Sequence, residues 1–394
     1  MTIEIVPLRC PRVALRQSPY GKNNLLFPAL LAAFAAILSL TPLLLRSQEK
    51  PEVVIEEDCQ AFAVSRDNRI VYAVPRIKRV KKVVIERDDV WIAPLTGKAK
   101  KIVEVDKFMP VPPPSTYIVN SLAWSPDGRR IVMNMTTIHM EEPKSSDEAD
   151  TSDTSNDNTS QAPLPGGGSK AIALLEDDGR EIKVQGSKTR FIENAISGTW
   201  LADGETLVYL NSAAPYRIMR VRPSDGQTAT LFEGHTFEAV LWDASRNQAF
   251  AVGNSLSISG KRMLVQLDLK RETVREIASL NGFEGEMSLS PSGTKIGYFA
   301  DGDTIEIRDL ANPQKPVRVR AGHGRFEWSR DERRLLLKRG PDEKSNSLVW
   351  VGIYDGTFQP ALHDLSYRDF EIMPGGGSVL VTEPGKKVLK VFPL

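Results

Sequence analysis

Residues 122–135 read LAWSPDGRRIVMNM, and the fold follows from this stretch. A short apolar segment ends at Trp124, the tetrapeptide Ser125-Pro126-Asp127-Gly128 follows, and an apolar run resumes at Ile131. Proline presets φ for a type I turn, and Gly128 supplies the left-handed residue that closes a hairpin. The same pattern returns as GTWLADGETLVYLN from Gly198, MSLSPSGTKIGYFA from Met287 and FEWSRDERRLLLKR from Phe326. Weaker copies are FAVSRDNRIVYAV from Phe62, VLWDASRNQAFAVG from Val240 and FEIMPGGGSVLVTE from Phe370. Gly204 and Gly293 fill the slot of Gly128, and Asn68 tolerates it. Glu332 departs from the pattern, and the copy from Val240 has no Asp-Gly.

A second hairpin follows each of the first six. VWIAPLTGKAKKIVEV from Val90, AIALLEDDGREIKV from Ala171 and YRIMRVRPSDGQTATLF from Tyr216 are examples. MLVQLDLKRETVREI from Met263, IEIRDLANPQKPVRV from Ile305 and LVWVGIYDGTFQPAL from Leu348 continue the series. Two hairpins make four strands, the content of one propeller blade. The anchors that end each first strand are Val64, Trp124, Trp200, Trp242, Leu289, Trp328 and Ile372. From Trp200 onward they lie 42, 47, 39 and 44 residues apart, close to the blade period of about 40–45. The tryptophans at these positions are read as packing between blades. The longer step from Val64 reflects residues 75–87, PRIKRVKKVVIER, which extend the first blade.

After Phe370 the chain offers only three strands. The missing fourth is available as EVVIEED, residues 52–58, and pairing it with residues 387–392 would leave no open sheet edge. The expected fold is therefore all-β: a seven-bladed β-propeller of four-stranded blades over residues 52–394, preceded by one N-terminal transmembrane helix. The Ser-Pro-Asp-Gly repeats resemble the PD40 (WD40-like) repeats of the TolB-type propeller family, across roughly residues 52–394. Residues 125–128 are the best match and residues 290–293 the next. The resemblance implies the fold; its functions range over binding modules, periplasmic assembly partners, sensor domains and peptidase lids.

Ahead of the repeats, residues 25–45 (LLFPALLAAFAAILSLTPLLL) carry no charge. A helix of that length is about 30 Å long, the thickness of a bilayer core. A cleavable signal peptide is the rival reading, but its apolar run is shorter, and Pro42 follows the nearest small-x-small site, Ser39-Leu40-Thr41. Residues 1–24 hold Arg9, Arg12, Arg16 and Lys22, whereas the far flank mixes Arg46 and Lys50 with Glu49, Glu52, Glu56, Glu57 and Asp58. This bias puts residues 1–24 in the cytoplasm and the propeller outside, in a periplasmic or extracellular space. Lys78, Arg79, Lys81 and Lys82 form a basic run, read as a solvated face.

Residues 141–169 (EEPKSSDEADTSDTSNDNTSQAPLPGGGS) contain almost no large apolar residue and are expected to be a disordered acidic insert. With 51 Lys and Arg against 50 Asp and Glu, the chain gives no reason to expect nucleic acid as a partner. Cys10 and Cys59 flank the apolar span and show no metal-ligand spacing.

No Gly-x-Ser-x-Gly elbow, P-loop or HExxH motif is present, so no catalytic residue, metal ligand or cofactor is assigned. His235, His323 and His363 each follow the fourth strand of a blade, where the inter-blade loops gather at one channel mouth. Tyr117, Arg190, Phe283, Glu284, Arg325 and Tyr367 come from equivalent loops and complete a candidate ligand-binding set. A competing reading makes Gly234-His235 and Gly322-His323 structural, as in the Gly-His pairs of WD40 repeats. The expected function is a membrane-anchored, extracytoplasmic binding or scaffolding module for a protein or peptide, with glycan possible, and not an enzyme. The alternatives are a hydrolase or lyase with its site at the channel mouth, or the sensory domain of an envelope signalling system.

Overall fold

The computed structural model describes residues 52–80, 83–95, 97–104, 115–139, 169–187, 191–254, 260–321, 324–339, 347–362, 369–383 and 388–394. The apolar segment 25–45 and nearly all of the insert 141–169 lie outside the described residues. Among those described, no helix is long and apolar enough to cross a membrane.

Strand β1 (Glu52–Ile55) precedes blade 1, which consists of β2 (Ala61–Val64), β3 (Arg69–Val80), β4 (Val83–Pro94) and β5 (Lys100–Val103). Blade 2 consists of β6 (Ser115–Trp124), β7 (Arg130–His139), β8 (Ser169–Glu176) and β9 (Ile192–Glu193). Blade 3 runs β10 (Ala195–Trp200), β11 (Leu207–Asn211), β12 (Ile218–Arg222), β13 (Gln227–Leu231), and blade 4 runs β14 (Phe237–Asp243), β15 (Gln248–Asn254), β16 (Arg262–Asp268), β17 (Thr273–Ser279). In blade 5 the strands are β18 (Met287–Leu289), β19 (Lys295–Asp301), β20 (Thr304–Asp309) and β21 (Val317–Arg320). Blade 6 has β22 (Phe326–Trp328), β23 (Arg334–Arg339), β24 (Ser347–Gly352) and β25 (Phe358–Leu362). The last blade has β26 (Phe370–Ile372), β27 (Ser378–Glu383) and β28 (Val388–Pro393). Every blade is an antiparallel meander; a single parallel bridge, Arg87 to Tyr117, fuses blades 1 and 2 into one eight-stranded sheet.

Closure occurs where the sequence places it. β1 is the outer strand of the last blade, with Glu52 opposite Val391, Val53 opposite Lys390 and Ile55 opposite Leu389. The buried core tells the same story. It divides into seven clusters, and each joins two consecutive blades. The seventh links Ile55, Met373, Leu380 and Leu389 to Ile70, Tyr72 and Val74, and so joins the last blade back to the first. The middle strands must therefore be apolar on both faces. In β15, Ala249 and Ala251 pack toward blade 3 while Phe250 and Val252 pack toward blade 5. A side-chain period of two makes one continuous apolar run serve both seams.

The first turn of every blade holds one left-handed residue. These are Asn68, Gly128, Gly204, Asn247, Gly293, Glu332 and Gly376, with φ between 52° and 73°. Glu332 thus keeps the backbone pattern that its side chain disfavours. It is held there from the neighbouring blade: its carboxylate accepts the Ser292 N–H at 2.5 Å and the Lys295 ammonium at 2.8 Å. Although burial opposes ionisation, these bonds hold the Glu332 carboxyl down at about 2. Its folded-state value is below the unfolded one, so the stabilisation is full above about pH 4.5 and disappears as pH falls toward 2. Glu332→Ala is expected to cost about 2 kcal/mol at pH 7 in urea unfolding and close to nothing at pH 2. Glu332→Gly should recover about 1 kcal/mol of that loss by relieving the left-handed strain.

Candidate functional site

Antiparallel meanders fix two rims. The first and third hairpin turns of each blade lie at one rim, the turn rim, and the second turns and inter-blade loops lie at the other, the loop rim. The innermost strands β2, β6, β10, β14, β18, β22 and β26 line the channel between them. A cavity of about 580 Å³ runs along it, from Gln60, Arg325 and Asp369 at the loop rim to Arg66, Pro126 and Ser245 at the turn rim.

The chemistry of the channel is concentrated on blades 5 to 7. In Phe326-Glu327-Trp328 the aromatic residues pack into the seam with blade 5, which turns Glu327 toward blade 7. In Phe370-Glu371-Ile372 the arrangement repeats one blade further on. Arg325, just ahead of β22, binds both oxygens of Asp369 at 3.0 and 3.1 Å and Glu327 at 2.6 Å. Its guanidinium also lies 5.9 Å from the Phe370 ring centre. Glu327 lies near the backbone N–H of Ile372, and Glu371 near that of Val64, so each carboxylate faces the next blade. Glu286 enters from the start of β18.

Asp369 and Glu327 thus bind one guanidinium directly, and Glu286 and Glu371 lie close enough to feel its charge. Burial pushes Glu371 up to about 8, helped by the negative charge of Glu327 and opposed by Arg325. Burial also pushes Glu286 up to about 7, against the pull of Arg325. Glu327 is raised mainly by burial as well. Arg325 is held protonated more firmly than usual: burial works against its charge, but Glu327, Asp369 and Glu371 outweigh it. Glu327 remains 22% exposed, which moderates all of these effects.

The predicted loop residues do not gather at one point. Arg325 joins the channel cluster. Glu284 is exposed on the loop rim. Phe283 packs against Tyr298, beneath the Arg262 guanidinium. Tyr117 is 3% exposed and belongs to the seam between blades 1 and 2, where burial raises its hydroxyl. His235 stacks on Phe237 at 6.0 Å and 5°, and burial lowers its basicity. Arg190, His323, His363 and Tyr367 lie outside the described residues. Among the described residues no group of three or more His, Cys, Asp and Glu is arranged to hold a metal ion.

The anchor tryptophans pack between blades. The Trp124 Nε1–H donates to the Ala63 carbonyl at 3.2 Å, and that of Trp242 donates to the Ser197 carbonyl, each reaching the preceding blade. Trp200 and Trp328 are 1% and 5% exposed. Sequence reasoning passed over Glu286, Glu327, Asp369 and Glu371. A signal was present in Phe-Glu-Trp and Phe-Glu-Ile, where an acid alternates with residues bound for the core.

No protein-family model matches the chain, and no curated protein matches it in sequence. Among solved structures it is similar to the β-propeller domain of Cps50 (Swd1) from Myceliophteria thermophila. The TM-score is 0.50 at 12% identity, over 87% of this chain and 99% of that one. The likeness is one of fold: the chain is built as a WD40-like β-propeller.

Proposed function

We propose that the protein is a single-pass membrane protein whose propeller works outside the cytoplasm as a non-enzymatic binding or scaffolding module. In this reading residues 25–45 remain as an uncleaved anchor, residues 1–24 are cytoplasmic, and the repeats are of PD40 type. The partner is a protein or peptide, with glycan as the other class a polar rim accepts. Propellers present such partners with a rigid rim of loops. The observation that carries the reading is the state of the channel charges. Glu327 and Glu371 face backbone N–H groups of the next blade, and Arg325 is bound by two carboxylates. These groups are fixed in place as a preorganised polar surface. Among the described residues, strands β3 and β4 (12 residues each) and β6 and β7 (10 each) are the longest and extend that rim over blades 1 and 2.

The test is proximity labelling from the C-terminus of the anchored chain in its own membrane. The expected neighbours are extracytoplasmic proteins, a subset of which disappears with the rim substitution Glu284→Arg. Labelling confined to cytoplasmic proteins would contradict the topology, and an unchanged set would contradict binding at the rim. One observation favours the second reading, a hydrolase or lyase: Glu286 and Glu371 titrate near neutrality, where acid–base catalysts work. That reading requires Glu371→Gln to abolish a measurable turnover without unfolding the ring.

A further inference from the structure

The seven seams are not equally packed. In each blade the third strand carries two residues facing the next blade, one near the loop rim and one nearer the turn rim. Strand register makes the second position Ile92, Leu174, Arg220, Gln266, Ile307, Trp350 and Val391 in blades 1 to 7. Five blades fill it with a large apolar side chain. Blade 4 has Gln266, which is hydrogen-bonded to Gln248 at 3.0 Å. Blade 3 has an arginine there and a second one, Arg222, two residues on.

The seam between blades 3 and 4 is apolar around Val208, Leu210, Ile218 and Ala251, and Leu201, Ala249, Leu267 and Leu269 continue it inward of the turns, but the third strand of blade 3 gives it no apolar side chain beyond Ile218. Toward the turn rim it opens into a cleft of about 480 Å³ lined by Arg220, Arg222, Lys270, Thr206, Thr228 and Asn247, among others. This volume lies within the range of small-molecule sites. The cations are only partly committed. Arg220 reaches Glu272 at 3.2 Å through one nitrogen, and Arg222 reaches Asp225 at 3.5 Å. Among the described residues the Lys270 ammonium has no partner. Asp203 also borders the cleft, but its oxygens are taken up within its own turn by Thr206 and the Glu205 N–H.

We propose that this cleft is a binding site for a small anion bearing a phosphoryl or carboxylate group, separate from the channel. The planar forks of Arg220 and Arg222 each have donors left to offer an oxyanion, and Lys270 adds a mobile charge.

The experiment is isothermal titration of the full chain with inorganic phosphate and, separately, with citrate. One saturable site is expected with at least one of them, and the tighter of the two identifies which kind of group the cleft prefers. Lys270→Met should weaken that binding about fivefold or more, because a charge-assisted bond is lost. Arg271→Met should change it by less than about twofold. Arg271 sits in the same turn, is 81% exposed and lies outside the lining, so it reports general electrostatics. Absence of saturable binding with both anions overturns the proposal. So does an equal loss in the Lys270→Met and Arg271→Met proteins.

Discussion

Removing residues 1–55 should lower the melting temperature of the ring by roughly 10 °C relative to removing residues 1–50. The two truncations differ only by the segment that carries β1. That strand covers the outer edge of β28 and buries Ile55, which is 4% exposed among Met373, Leu380 and Tyr72. Burial of one isoleucine contributes about 2–3 kcal/mol, and the ladder bonds contribute about 1 kcal/mol each. The loss also leaves β28 as an open edge that invites association, so concentration-dependent aggregation should accompany it. Scanning calorimetry with light scattering measures both. Equal melting temperatures for the two truncations would mean that β1 does not close the ring.

The second large effect is expected at Arg325. Arg325→Met leaves Glu286, Glu327, Asp369 and Glu371 around the channel with no cation among them. Breaking a partly buried ion cluster in this way costs about 3–5 kcal/mol. The loss should be largest at pH 8 and should shrink as pH falls toward 5, because protonation removes the repulsion. The sign for the intact cluster follows from linkage. Glu371 and Glu286 titrate at about 8 and about 7 when folded, above the usual 4.5. Between those values the folded state binds more protons than the unfolded one, so stability falls as pH rises from 4.5 to 8. Glu371→Gln keeps the size of the side chain and a carbonyl oxygen without the charge. It should therefore stabilise the protein by about 2 kcal/mol at pH 8 and leave it nearly unchanged at pH 5. Urea unfolding at the two pH values checks both variants. A pH-independent effect would show that these carboxylates stay ionised throughout.

The sequence made the fold legible because the hairpin signal is local. Ser-Pro-Asp-Gly with an apolar run on either side specifies a turn wherever it occurs, and a roughly 42-residue recurrence specifies how often. Even the defective copies held. Glu332 and Asn247 lack glycine, yet both adopt the left-handed conformation, because the neighbouring blade holds Glu332 there and a short 3₁₀ turn leads into Asn247. The seam-by-seam division of the core was also implicit, since two-sided burial requires runs such as Ala249 to Val252.

The site was legible only in part. Loop position identified Arg325 but grouped it with Tyr117 and His235, whose rings pack against their own surroundings. Which side chains share a channel depends on strand pairing across hundreds of residues, and the spacing within one repeat does not carry that information. Glu327 and Glu371 come together only because their blades are neighbours. The anion cleft is subtler still: an arginine such as Arg220 stands out only after register has aligned it with Ile92, Leu174 and Ile307.

The closed ring is tested most directly by a disulfide across its seam. With Cys10→Ala and Cys59→Ala as background, Val53→Cys and Lys390→Cys place two thiols on facing residues of β1 and β28. Facing Cα atoms in an antiparallel pair lie about 4.5–5.5 Å apart, within disulfide reach. Mild oxidation followed by peptide mapping should link positions 53 and 390, and should not link 53 to 101 when Lys101→Cys on the outer strand of blade 1 is used instead. A chain that fails to join 53 to 390, or that joins 53 to 101 as readily, is not a ring closed by its first strand.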